Sequence, residues 1–322
     1  MMSKLTFMSD EAEAVLAILA CRKAGKKLSE KDWQLLFTSE GFRRLQQRER
    51  SMGNSFTNDD FRTFVLSDSL LQQTESLSYT LNKWLKMDLD EAAHRALAYL
   101  PIDAQLIAKI YPVIKPKPNS FVFETETNPA IFLYLDPKIS AEKLLNTLAH
   151  ELHHIGHATY DKAVLESNWW KALPAPKRAA LEWVFAFKEG LAMLAAAGGV
   201  DIHPHSSSCD EDRARWDKDM RNFNTDIRKL EQFFLDVLNG YLRGEAVWKT
   251  GFTFFGEQGP WYTVGYQMAV IIERQFGSQV LIDTSCDPRR LLLVYNEAAQ
   301  TRNKHAGQSI SLWSKELVER LS

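Results

Sequence analysis

Between residues 10 and 111 apolar side chains recur every three or four positions, the spacing of one buried helix face, so this part of the chain reads as helix after helix. Ser9 and Asp10 can cap a first helix over 10–21, and Ser29 with Asp32 opens a second to about residue 50. Further helices are expected over 58–66, 69–85, 88–99 and 102–111, with Gly25, Gly41, Gly53 and Pro101 as punctuation. The period then changes. PVIKPKP is a stiff, extended connector, and it leads into SFVFET and AIFLYL, two short aromatic and β-branched runs that read as a hairpin. Residues 131–135 are the candidate cleft-side strand, able to pair with an extended peptide, and an ordinary structural hairpin is equally compatible with them.

Helical spacing returns at 140–158, where Leu144, Leu145, Leu148, Leu152 and Ile155 form an apolar face. After the break LPAPKR comes KEGLAMLAAAGG, a small-residue helix stopped by Gly198 and Gly199. A polar loop, GGVDIHPHSSSCDEDR, precedes a long amphipathic helix over 211–243 with Trp216, Phe223, Ile227, Leu230, Phe234 and Leu238 inward. Gly259 and Pro260 open another helix, and 287–300 and 309–321 close the chain. The fold class expected is α+β and mostly α-helical, with a small β-hairpin or sheet beside the 140–158 helix. The division expected is a helical N-terminal portion, 1–111, and a catalytic portion, 112–322, packed as one compact unit.

Composition narrows the function classes. The 322 residues are 45% hydrophobic and 25% charged with a net charge of −2, ordinary values for a globular protein. Lys and Arg are interspersed with Asp and Glu, which argues against a nucleic-acid partner. The apolar stretch 14–21 is too short and follows acidic residues too closely for a secretory signal, and no run approaches the ~18 apolar residues of a membrane span. Cys21, Cys209 and Cys286 are odd in number and far apart, so a disulfide framework is not expected and a cytoplasmic location is.

Candidate chemistry centres on SAEKLLNTLAHELHHIGHA. On a helix, i and i+4 share a face, so His150 and His154 can reach one metal ion while Glu151 points about 100° aside. That is the pattern of a zinc hydrolase, with two His as ligands and the Glu as general base toward a metal-activated water. A helix merely rich in His is the bland alternative, but a buried helix carrying these groups needs a reason to hold them. His153 and His157 crowd the same two turns and read as supporting groups, with a ligand role open for either. Zinc in a hydrolase takes three protein ligands and one open position. The metzincin extension would need Gly and His where this chain has His157 and Tyr160, so that class is rejected. A Glu on a later helix is the other common solution. Glu189 fits it, because Gly190, Ala192 and Ala195 to Ala197 would let its helix come close to the His helix; Glu182 is the rival. His203, His205 and Cys209 form a weaker second cluster in the polar loop.

In GFTFFGEQGPWYTVGYQMAVIIERQFG, Tyr262 and Tyr266 lie at i, i+4 beside Gly265, and either hydroxyl is a candidate donor to the oxyanion of amide hydrolysis. HELHHIGH with a downstream EGLA resembles the gluzincin zinc peptidases, the HExxH-plus-Glu group. More closely, YLP, IYPVIKP, NSFVF, HELHHIGH, EGLA and GPWYTVGYQMAVIIE are similar to a family of zinc-dependent peptidases named only as a domain of unknown function, over roughly residues 95 to 300. The resemblance implies a zincin-like catalytic core and one Zn2+. The expected function is therefore a zinc metallopeptidase with a peptide or protein substrate. Its ligands are His150, His154 and Glu189, its base is Glu151, and its oxyanion donor is Tyr262 or Tyr266. Two alternatives stand beside it: an inactive zinc-binding or regulatory module, and a zinc hydrolase of a non-peptide amide. Peptide specificity and oligomeric state are not legible in the sequence.

Overall fold

The computed structural model describes residues 3–305 and 309–322. In chain order the elements are β1 (Ser3–Phe7), α1 (Asp10–Lys23), α2 (Glu30–Thr38), α3 (Glu40–Ser51), α4 (Asn58–Val65), α5 (Asp68–Gln72), α6 (Thr74–Trp84), α7 (Asp90–Leu97), β2 (Leu106–Val113), β3 (Phe121–Phe123) and β4 (Ala130–Tyr134). Then come α8 (Ala141–Glu166), α9 (Asn168–Lys171), α10 (Ala175–Val184), α11 (Lys188–Ala197), α12 (Asp210–Arg221), α13 (Phe223–Leu238), α14 (Glu245–Thr253), α15 (Pro260–Phe276), α16 (Ser278–Ser285), α17 (Leu291–Asn303) and α18 (Lys315–Leu321). The class is α+β and mostly helical, as expected. The chain divides into two compact units: one holds the chain up to Glu91 with Gln105–Ile155, the other Ala92–Ala104 with Gly156–Ser322.

The first unit contains a four-stranded mixed sheet in the order β1-β2-β4-β3. β2 lies parallel to both β1 and β4, with Ser3 opposite Leu106 and Lys109 opposite Ala130. The expected hairpin forms, since β3 and β4 are antiparallel with Phe121 opposite Phe132. Two expectations fail here. The 102–111 segment is not a helix: Leu106–Val113 is an interior strand, covered by neighbours along both edges, and such strands read as near-continuous apolar runs rather than alternation. The 131–135 segment is not an edge: Ile131 and Phe132 are paired on both sides, and the Tyr134 N–H bonds Ser120 Oγ at 3.2 Å. The outer strands of the sheet are β1 and β3. The helix expected over 29–50 is cut at Ser39, whose Oγ accepts the Phe42 N–H at 3.3 Å and caps α3. The helix expected over 211–243 is likewise cut at Asn222.

Glu11 of α1 is fully buried and accepts the Ile114 N–H at 3.1 Å, while its other oxygen lacks a hydrogen-bond partner. Burial pushes its carboxyl up to about 8, outweighing the lowering effect of the Ile114 bond. A carboxyl raised in the fold contributes stability that is complete below its unfolded value of 4.5 and lost as pH rises through about 8. Glu11→Gln keeps an acceptor for Ile114 and removes the ionisation. It is expected to flatten the fall in unfolding free energy between pH 5 and 9 by on the order of 3 kcal/mol, measured by urea titration at each pH. An unchanged pH slope would contradict it.

The second unit is built on an aromatic core in which Trp183 stacks on Trp261 at 5.7 Å and Phe187 meets the Trp261 edge at 5.1 Å. α11 and α15 press together at two glycines. A Cβ on Gly190 would lie 2.0 Å from the Tyr266 backbone nitrogen, and one on Gly265 would lie 2.4 Å from the Phe187 carbonyl oxygen. Only glycine fits at either position. Close approach by α11 was expected, but the partner that Gly190 meets is α15.

Candidate metal centre

Ser140 opens α8, its Oγ accepting the Lys143 N–H at 3.1 Å. From there α8 runs 26 residues without a break, with Leu144, Leu148, Leu152 and Ile155 buried along one face. The i, i+4 relation acts as the sequence predicts: His150 and His154 bring their Nε2 atoms to 3.1 Å, with the rings nearly perpendicular at 82°. Glu189, in the first turn of α11, joins them. One ligand atom from each of His150, His154 and Glu189 lies within 4.8 Å of the others, and all three residues are half-buried.

The donor set fits zinc. Tetrahedral donors 2.0–2.1 Å from the ion sit roughly 3.3 Å apart, close to the separation of the two imidazole nitrogens. Two neutral imidazoles and one carboxylate are also the ligands of catalytic rather than closed structural sites, which favour thiolates.

The other candidates separate from this group. His153 and His157 are fully buried and lie outside it, and the His157 Nε2 is 3.4 Å from Ser285 Oγ on α16. Glu182 is exposed on α10 and also outside it. A 3₁₀ turn, Phe185–Phe187, intervenes between α10 and α11, so the seven-residue spacing does not keep Glu182 on the Glu189 face. In the polar loop His203 bonds Asp217 at 3.0 Å and His205 bonds Ser208 Oγ at 2.9 Å. Among the described residues no second metal-binding group forms there. Cys21, Cys209 and Cys286 are free thiols, and no described helix is long and apolar enough to cross a membrane.

Glu151 is buried beside His150, 7% exposed. The two tyrosines differ. Tyr266 is buried, its ring edge on Trp216, and burial pushes its hydroxyl up to about 12 with Arg274, Asp201 and Glu273 as the charges acting on it. Tyr262, one turn earlier, is half-buried against Phe255. A further pair escaped the sequence reading: Lys188, directly before Glu189, forms an ion pair with Asp161 of α8. The residue order KEG carries a trace of it, but nothing local marks Asp161 as the partner.

Comparison with known proteins gives one family. A family model described as "Putative zinc dependent peptidase (DUF5700)" matches residues 15–304. No curated protein and no solved structure matches the chain.

Proposed function

Because the chain belongs to the DUF5700 family, we propose that it is a zinc metallopeptidase that hydrolyses peptide bonds, with Glu151 as its general base. The observation that carries the reading is the convergence of His150, His154 and Glu189 from α8 and α11. These three residues would hold the ion. Bound there, zinc supplies Lewis-acid chemistry, lowering the pKa of water and polarising a carbonyl.

The chain's own residues do the rest. The Glu151 carboxylate, held off the ligand face by its place one residue after His150, takes the proton of the attacking water and returns it to the leaving amine nitrogen. A tyrosine hydroxyl donates to the carbonyl oxygen as negative charge builds on it. Tyr262, half-buried on α15, and Tyr266, buried one turn later, are the two candidates for that role.

The test is metal content beside turnover. The purified chain is expected to carry close to one zinc and to cleave a mixed peptide library, with cleavage abolished by a chelator and restored by zinc. Zinc bound without cleavage of any library member would favour a binding or regulatory module. Cleavage that survives full zinc removal would sink the reading.

A further inference from the structure

Glu189 is held in place from both sides along its own helix. On one side Gly190 packs directly on the Gly265 and Tyr266 backbone. On the other, Lys188 reaches Asp161, and its ammonium also lies over the Phe185 ring at 4.4 Å from the centroid. The Lys188 side chain is only 9% exposed and Asp161 29%. Successive helical residues point about 100° apart, so Lys188 cannot share the Glu189 direction, but it sets the rotation of the turn that carries Glu189.

Asp161 stands on the helix that supplies the histidines. It follows His154 by seven residues, two turns and roughly 10 Å along α8, on nearly the same face. The ion pair therefore ties the first turn of α11 to a fixed height on the His150–His154 helix. Burying a charged pair is weak evidence for stability, because desolvation offsets most of the attraction, whereas fixing one geometry is a role such pairs do serve. Cys286 also lies within reach of both charges, and burial pushes its thiol up.

We propose that the Asp161–Lys188 pair is a positioning clamp that aims the Glu189 carboxylate at His150 and His154 and so sets the affinity of the centre for a divalent cation. The proposal rests on the zinc-site reading above. Neither residue touches the ion; both act through Glu189. Partners that orient metal ligands typically account for 10–100-fold in affinity, and an effect of that size is expected here.

The experiment measures zinc affinity by competition with a chromophoric chelator, on the full chain, with thermal unfolding in excess chelator as the folding control. Asp161→Asn is expected to weaken zinc binding 10–100-fold, and Lys188→Arg, which keeps the charge, to stay within a few-fold of the parent. Breaking one partner of a part-buried pair can destabilise a fold, so the double replacement Asp161→Leu with Lys188→Met removes both charges at once and is expected to fold yet bind zinc as weakly. In a Glu189→Ala background, removing the pair should cost nothing further. Parent-like zinc affinity in the folded double variant would overturn the clamp, as would an equal additional loss in the Glu189→Ala background. A parent chain that binds no zinc, or a Glu189→Ala variant that binds it as tightly as the parent, would instead overturn the zinc site itself.

Discussion

Replacing His150 or His154 by alanine is expected to empty the metal centre. Each would remove one of the three proposed protein donors, and the two share a single ion if their Nε2 atoms, 3.1 Å apart, mark its place. Groups that merely orient ligands are worth 10–100-fold in affinity, so a direct donor is worth more than ~10². Either variant should leave gel filtration with far less than one equivalent of zinc, and Glu189→Ala should follow them while Glu182→Ala should not. A second readout needs no activity. Ligand present at 100 times its dissociation constant stabilises a fold by about 2.7 kcal/mol, so a chelator should lower the unfolding midpoint of the parent by several degrees and leave that of the variants unmoved. Thermal unfolding of each variant in excess chelator keeps a folding defect from imitating the result. Full zinc occupancy in both variants would remove the ground for the whole functional reading.

The features legible in the sequence are those whose cause is local. The i, i+4 spacing of His150 and His154 places their nitrogens together through helix geometry alone, and α8 forms with Leu144, Leu148, Leu152 and Ile155 buried, though Leu145 of the expected face is only half-buried. The β3–β4 hairpin is similarly written in two short β-branched and aromatic runs. Gly198 ends α11 at φ +86 as its residue type suggests. Glu189 is an intermediate case. Its selection came from ligand counting and from the small residues after it, yet Gly190 turns out to face α15.

The features missed depend on partners distant in the chain. Leu106–Val113 became an interior strand because β1 and β4, whose paired residues lie 103 and 21 positions away in the chain, cover both of its edges. Its own run of apolar residues is too short to separate a period of 2 from one of 3.6. The same applies to β4, whose availability as an edge could not be judged without knowing that both neighbours pair with it. Asp161 and Lys188 are ordinary charged residues in sequence and become a part-buried pair only when α11 meets the far half of α8. The rejection of Glu182 rests on the 3₁₀ turn at Phe185–Phe187, a change of pitch that apolar spacing does not reveal.

The largest effect on turnover is expected from Glu151→Gln, and it separates an enzyme from a binding module. Glu151 follows His150 directly, so it stands about 100° off the ligand direction and is outside the group that could hold an ion. Its carboxylate is buried, 7% exposed, in a place where a permanent charge has a desolvation cost and a purely structural centre has no use for it. Glutamine has the same length and keeps the carbonyl acceptor, but it cannot accept a proton from water at neutral pH. Positioned acid–base groups contribute 10²–10⁴-fold, so peptide cleavage should fall by at least ~10². Zinc content should stay near one equivalent and the unfolding midpoint close to that of the parent, since no donor is lost. The comparison with His154→Ala then divides the roles: one variant keeps the metal and loses turnover, the other loses both. A Glu151→Gln variant that cleaves peptides at the parent rate would exclude Glu151 as the base, and a parent that holds its zinc without cleaving any peptide would make the centre a binding site rather than a catalytic one.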